Sequence, residues 1–219
     1  MVNRLLVVIL SLSVSLIGSA RQDVPFAKDI EAFRQKDKVE MPAAGQILFV
    51  GSSSFTRWTD VQEYFPGYAI INRGFGGSSL PDVIRFADDV IFKYDPSQIV
   101  MYCGENDFLG KDVTADTVVK RFRTLFGMIR EKYPTVPLVY VSIKPSPSRA
   151  HLMPEMEKAN AAIARFLENK KRTVFVDVYH LMLNEQGKPM PDIFVSDDLH
   201  MNAKGYAIWQ KALQPHLKK

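Results

Sequence analysis

Five short apolar runs recur along the chain, at residues 46–50, 68–71, 98–102, 137–141 and 174–177. Each is nearly continuous instead of alternating, which describes strands covered on both faces and hence a parallel sheet. Residues 80–92, 114–133 and 155–169, and 202–216 after the last run, carry apolar positions at helical spacing. Residues 26–33 show the same period before Pro42 and Gly45 close the connection to the first run. Strand and helix alternating in this way predict a right-handed doubly wound α/β sandwich. Ligands of such a fold sit beyond the carboxyl ends of the strands.

Composition narrows this to one domain. The chain has 219 residues, 47% hydrophobic and 24% charged, with no repeat, low-complexity tract or long linker, so residues 21–219 are expected to form a single unit. Residues 1–20 are different. Arg4 is their only charge, residues 5–17 are apolar, and Gly18-Ser19-Ala20 offers small residues to a signal peptidase. We expect a cleaved export signal and a periplasmic or secreted protein without stable membrane insertion. A retained anchor is the competing reading, for which the apolar run is short.

The formal net charge is only +4, and the basic clusters, Lys170-Lys171-Arg172 and Lys218-Lys219, lack interleaved aromatics. They read as solvated helix ends, and a nucleic-acid partner is not expected. The single cysteine, Cys103, has no intrachain disulfide partner and reads as a small buried apolar residue.

The candidate chemistry falls at the strand ends. Gly51-Ser52-Ser53-Ser54 closes the first run, Gly74 to Gly77 follow the second and Gly104-Glu105-Asn106-Asp107 the third. Asp197 and His200, three residues apart, precede the last helix. A serine at a strand tip with an acid and a histidine on one short loop is what nucleophilic acyl transfer needs. Taken singly, each stretch has a plainer reading as a tight turn, a helix cap or a polar loop. Asn202 is a good N-cap, and Asp198 reads as a capping or solvated acid. Arg73 and Phe75 border the second stretch, Arg73 as a solvated loop charge. His151, His180 and His216 are taken as surface or structural, without an acid at comparable spacing in a strand-end loop. Glu105 and Asp107 lack a cluster at metal-ligand spacing, so neither metal nor cofactor is expected.

Gly51-Ser52-Ser53, Asn72-Arg73-Gly74-Phe75-Gly76-Gly77, Gly104-Glu105-Asn106-Asp107 and Asp197-Asp198-Leu199-His200 together resemble, in order, the four signature blocks of the SGNH (GDSL-like) esterase and lipase superfamily. The resemblance spans roughly residues 46 to 216. It implies a flavodoxin-like three-layer α/β/α sandwich with a five-stranded parallel sheet. It also implies roles: Ser53 as nucleophile, His200 as general base and acid, and Asp197 as its orienter. The Ser53 and Gly77 backbone N–H groups and the Asn106 side-chain amide would be oxyanion donors. Ser52 departs from the family pattern, which has aspartate there, and the three serines leave Ser52 and Ser54 as rival nucleophiles. An α/β-hydrolase elbow would need a second glycine where Phe55 stands.

The implied activity is hydrolysis of carboxylic esters through an acyl-enzyme, on short-acyl or acetyl esters of small molecules or glycans, with residues 144–151 shaping the pocket. Lysophospholipid esters, acyl transfer to an alcohol and a catalytically silent glycan- or partner-binding domain are the alternatives. Acyl-chain length and oligomeric state are not encoded in any motif.

Overall fold

The computed structural model describes residues 24–218, so the expected export signal at 1–20 lies outside the described residues. Strands β1 (Ile47–Gly51), β2 (Ile70–Gly74), β3 (Gln98–Tyr102), β4 (Leu138–Val141) and β5 (Thr173–Val176) form one sheet in the order β2-β1-β3-β4-β5. Every neighbouring pair is parallel. This is the flavodoxin-like order, in which the chain reverses direction between β1 and β3.

Period-two alternation explains the three layers. Leu48, Val50, Ile99, Met101, Leu138 and Tyr140 face one side, under α1 (Ala27–Val39), α4 (Leu80–Arg85), α5 (Ala115–Lys132) and α6 (Met153–Glu168). Ile47, Phe49, Val100, Tyr102, Val139 and Val141 face the other, under the short helices α2 (Ser53–Thr56) and α3 (Val61–Tyr64) and the longer α7 (Ala203–Leu213). Burying each large side chain contributes roughly 1.5–3 kcal/mol.

The second layer brings the turn after β1 against the last long helix. Trp58 stacks on Tyr206 with centroids 4.8 Å apart, Phe55 meets Trp209 edge-on at 6.0 Å, and the Tyr206 hydroxyl donates to the Ser54 carbonyl at 2.9 Å. Because α7 starts directly after His200, docking α7 on the turn after β1 carries His200 to Ser53.

Two expectations need correcting. Residues 80–92 are not one helix: after α4 the chain winds into a wider π turn at Asp88–Phe92. Contacts from outside the segment favour the break, since Arg34 grips Asp89 through two 2.7 Å bonds and the Tyr133 hydroxyl donates to the Ile91 carbonyl at 3.1 Å. Arg73 is not a solvated loop charge either. It lies in β2, 8% exposed, bonded to the Asp37 carboxylate at 2.5 Å and the Tyr94 hydroxyl at 2.6 Å, because an arginine inside a sheet layer needs partners. The second strand accordingly runs to Gly74, beyond the apolar stretch that announces it.

Candidate active site

At the carboxyl edge of the sheet, β1 ends on Gly51, whose φ of +143° excludes most side chains. A Cβ there would sit 1.8 Å from the Tyr102 carbonyl oxygen, so glycine lets β1 and β3 run close where the sheet reverses. The chain then turns into α2, and the three serines separate. The Ser52 Oγ accepts from the Asn106 Nδ2 at 2.7 Å, Ser53 faces the surface, and Ser54 is buried beneath α7. Among the described residues, Ser53 is the serine that meets a histidine: its Oγ lies 3.0 Å from His200 Nε2.

His200 is held from behind. Its Nδ1 lies 2.6 Å from the Asp197 Oδ2, while the Asp197 Oδ1 accepts the backbone N–H groups of Leu199 at 3.0 Å and His200 at 2.8 Å. Partial burial pushes the Asp197 carboxyl upward. The bonds from the His200 amide and ring and the Leu199 amide outweigh that and hold it well below the ordinary carboxylate range. Asp197 is therefore ionised at neutral pH, the state that favours a proton on Nδ1 and leaves Nε2 free to accept one from Ser53.

The loop carrying this pair is pinned at both ends. Phe194 and Met201 form an antiparallel bridge, and Asn202 caps α7 by accepting from the Lys204 and Gly205 N–H groups, as its sequence position predicts. Asp198 does not cap a helix; it occupies a left-handed turn at φ +55°. Its carbonyl accepts from the Ser148 amide at 3.0 Å and hydroxyl at 2.9 Å.

The three sequence-proposed oxyanion donors differ in availability. Among the described residues, the Ser53 and Gly77 N–H groups have no hydrogen-bond partner. Gly77 adopts φ +85° beside Gly76, whose missing Cβ would lie 4.0 Å from the Ser53 Cβ. The Asn106 amide is engaged, donating to Ser52 Oγ at 2.7 Å and to the Ser78 carbonyl at 3.0 Å. It lines the same cavity as Ser53, Gly77 and His200, yet must give up one of these hydrogen bonds before donating to a ligand. Ser52 and the Ser78 carbonyl together hold it.

A buried ionic cluster, absent from the sequence expectations as a unit, lies behind the site. Glu105 accepts from Lys144 at 3.2 Å, from Arg149 at 2.9 Å and from the Tyr102 hydroxyl. Burial raises the Glu105 carboxyl, but Lys144 and Arg149 outweigh it and keep it below the ordinary value. Lys144, 1% exposed, also donates to the Leu199 carbonyl at 2.8 Å, tying this cluster to the loop of His200. Lys144 stands three residues beyond the continuous apolar fourth strand, and a lysine carried into the interior with it needs an acid. Asp107 is separately engaged, accepting from the Leu80 amide at 2.8 Å and from Arg121 at 2.8 Å.

The structure also corrects the reading of His180. Asp177 precedes it by three residues just after β5, and the His180 Nδ1 lies 2.6 Å from the Asp177 Oδ2. The spacing that singles out Asp197 and His200 thus occurs twice.

A parallel sandwich with a serine, an imidazole and an ionised carboxylate in hydrogen-bonded series at its switch point belongs to the hydrolases that work on acyl groups. Residues 44–208 match the GDSL-like lipase/acylhydrolase family, and the chain belongs to that family. No curated protein compared with the sequence matches it. Among solved structures, a Streptococcus pneumonia protein provisionally described as a platelet activating factor aligns with TM-score 0.76 at 22% identity, over 87% of this chain and 92% of its own. A GDSL-like lipase from Bacteroides thetaiotaomicron gives TM-score 0.70 at 18% identity, over 85% and 96%. A mutant of an acetyl-xylooligosaccharide esterase from Geobacillus Stearmophilus gives 0.62 at 15%, over 81% and 96%. At these identities the likeness carries the fold.

Proposed function

We propose that the protein is an exported serine esterase that cleaves short-acyl or acetyl esters of small molecules or glycans. The observation that carries this reading is the 3.0 Å approach of Ser53 Oγ to His200 Nε2, with Asp197 on the far side of the ring. In the proposed sequence the Ser53 hydroxyl attacks the ester carbonyl as His200 takes its proton. The resulting oxyanion meets the free Ser53 and Gly77 N–H groups, joined by Asn106 once it releases one of its internal bonds. His200 then gives the proton to the departing alcohol, leaving an acyl-Ser53 ester, and water activated by the same imidazole releases the acid.

The cavity at Ser53 supports a short acyl chain, since its volume is only about 260 Å³. It is small beside the ~300–1,000 Å³ of sites for drug-sized ligands. Among the described residues no helix is long and apolar enough to cross a membrane. The acetyl-xylooligosaccharide esterase with a similar fold is a precedent for acetylated sugars.

A fluorophosphonate probe and a series of 4-nitrophenyl esters test this reading. Labelling of the wild type, its loss in Ser53→Ala, and turnover falling steeply from acetate to octanoate are expected. An unlabelled wild-type protein overturns the catalytic reading in favour of a silent binding domain. A rise toward octanoate replaces acetyl esters with lipid substrates.

A further inference from the structure

The mouth of the Ser53 cavity is more cationic than ester hydrolysis requires. Arg57 and Arg149 both line it together with Ser53, Asn106 and His200, and among the described lining residues none is an acid. Arg149 is built in. Its side chain is 12% exposed and its Nη1 is fixed to Glu105 at 2.9 Å, so the guanidinium is held at the cavity wall. Glu105 does not neutralise it, because that one carboxylate also serves the buried Lys144 at 3.2 Å. Lys144 and Arg149 share Glu105, and the Asp197 carboxylate also acts on Lys144, so the Arg149 guanidinium keeps only a share of one anion. The burial that keeps the cluster dry also keeps the Arg149 charge poorly screened.

Arg57 adds a second positive charge. It follows α2, which begins at Ser53, and among the described residues its guanidinium has no hydrogen-bond or ion-pair partner. Asp60, three residues on, makes no ion pair with it. The nearest functional carboxylate, Asp197, is committed to the His200 ring and two backbone amides. A fixed guanidinium and an unpaired one beside the same nucleophile make a pattern that recognises a carboxylate.

Resting on the esterase reading above, we infer that the natural substrate is an anionic ester bearing a carboxylate close to the scissile bond, held by Arg57 and Arg149. A charged acyl group, as in a half-ester of a dicarboxylic acid, and a charged alcohol, as in an acylated uronic acid, present the same chemistry, and size-matched pairs of substrates tell them apart. For the acyl side the pair is 4-nitrophenyl hydrogen succinate against 4-nitrophenyl methyl succinate. For the alcohol side it is 4-acetoxy-3-nitrobenzoate against its methyl ester.

In one arm the anion is expected to exceed its neutral partner in kcat/KM by about tenfold or more, a preference that shrinks as salt is raised. Arg57→Gln, on the exposed side of the cavity, should lower that anion-to-neutral ratio by about tenfold. Lys120→Gln, the same charge change on the exposed face of α5, should leave the ratio unaltered. Equal rates for charged and neutral esters in both arms, or a ratio indifferent to Arg57→Gln, overturn the inference while leaving the esterase reading intact. A binding measurement answers independently of turnover: titrate the Ser53→Ala protein with monomethyl succinate and with dimethyl succinate, following the arginine Nε–Hε NMR signals. The anion alone should shift those of Arg57 and Arg149, and their indifference to it refutes carboxylate recognition even for a protein that turns over no ester.

Discussion

Asp177–His180 and Asp197–His200 are near-duplicates that differ in what surrounds them. In both, the histidine Nδ1 lies 2.6 Å from the aspartate Oδ2, and the aspartate Oδ1 accepts the histidine's own amide, at 3.2 Å and 2.8 Å. This is local chemistry, since an aspartate readily accepts N–H groups two and three residues further on. The other ring nitrogen separates the pairs. His200 Nε2 faces Ser53 Oγ at 3.0 Å, whereas His180 Nε2 faces the Glu157 carboxylate at 3.9 Å. His180 is 63% exposed and His200 14%. Spacing makes the dyad; the packing of α7 on α2 makes the candidate site.

The sharpest way to break this contrast is to remove each imidazole. His200→Ala, like Ser53→Ala, should lower kcat/KM on 4-nitrophenyl acetate by roughly 10⁴-fold or more, since members of such a unit fail together. His180→Ala should stay within about twofold of the wild type, as expected for a surface change. Comparable losses from the two histidines would dissolve the distinction.

Replacing the acids comes next. Asp197→Asn keeps the shape of the side chain but no longer anchors the required tautomer, and a loss of about 10³–10⁴ in kcat is expected. Asp177→Asn should leave kcat where it is. Equal tolerance of both substitutions, measured on the same ester, would show that the His200 ring is positioned without Asp197.

A smaller effect should come from the scaffold that only the second loop has. Lys144 bonds to the Leu199 carbonyl, and Ser148 to the Asp198 carbonyl. Lys144→Met should reduce kcat by about 10- to 100-fold through displacement of His200, with KM little altered. Should loss of one of the two cationic partners of Glu105 prevent folding, Ser148→Ala removes one exposed bond and leaves the buried cluster whole. It should lower kcat by roughly threefold, about the loss of one weak hydrogen bond. A change confined to KM in either variant would assign this segment to substrate contact instead.

The parts legible in the sequence are those written in local pattern. Continuous apolar runs at 46–50 and 98–102 announce a sheet covered on both faces, and both become strands within a residue of those limits. Asn202 caps α7 because capping depends on its immediate neighbours. What escaped is chemistry that needs partners far along the chain. The Arg73 side chain is inside because Asp37, 36 residues earlier, meets it, and the Glu105 cluster needs Lys144 and Arg149 from beyond β4. Asn106 was legible as a donor, but its engagement by Ser52 depends on the spacing of β1 and β3, which no single stretch encodes. The Asp177–His180 pair is equally legible, since it has the same three-residue spacing and also follows a strand.

Acid stability offers the mildest separation of the two loops. The Asp197 carboxyl is held below its ordinary value in the folded protein, so the bonds that lower it contribute stability at neutral pH. That contribution is fully present above the unfolded value of about 3.9 and fades as pH falls toward the lower folded value, where protonation of both states removes the difference. Asp197→Asn deletes it. Urea unfolding followed from pH 7 to pH 2 should therefore show wild type and Asp197→Asn separated near neutrality and converging below about pH 4, the unfolded carboxylate's range. The effect should be small, because the side chain is 40% exposed and solvent screens it. A gap that stays constant over the whole range would mean that Asp197 stabilises the loop by its shape and hydrogen-bond count, with its charge reserved for His200.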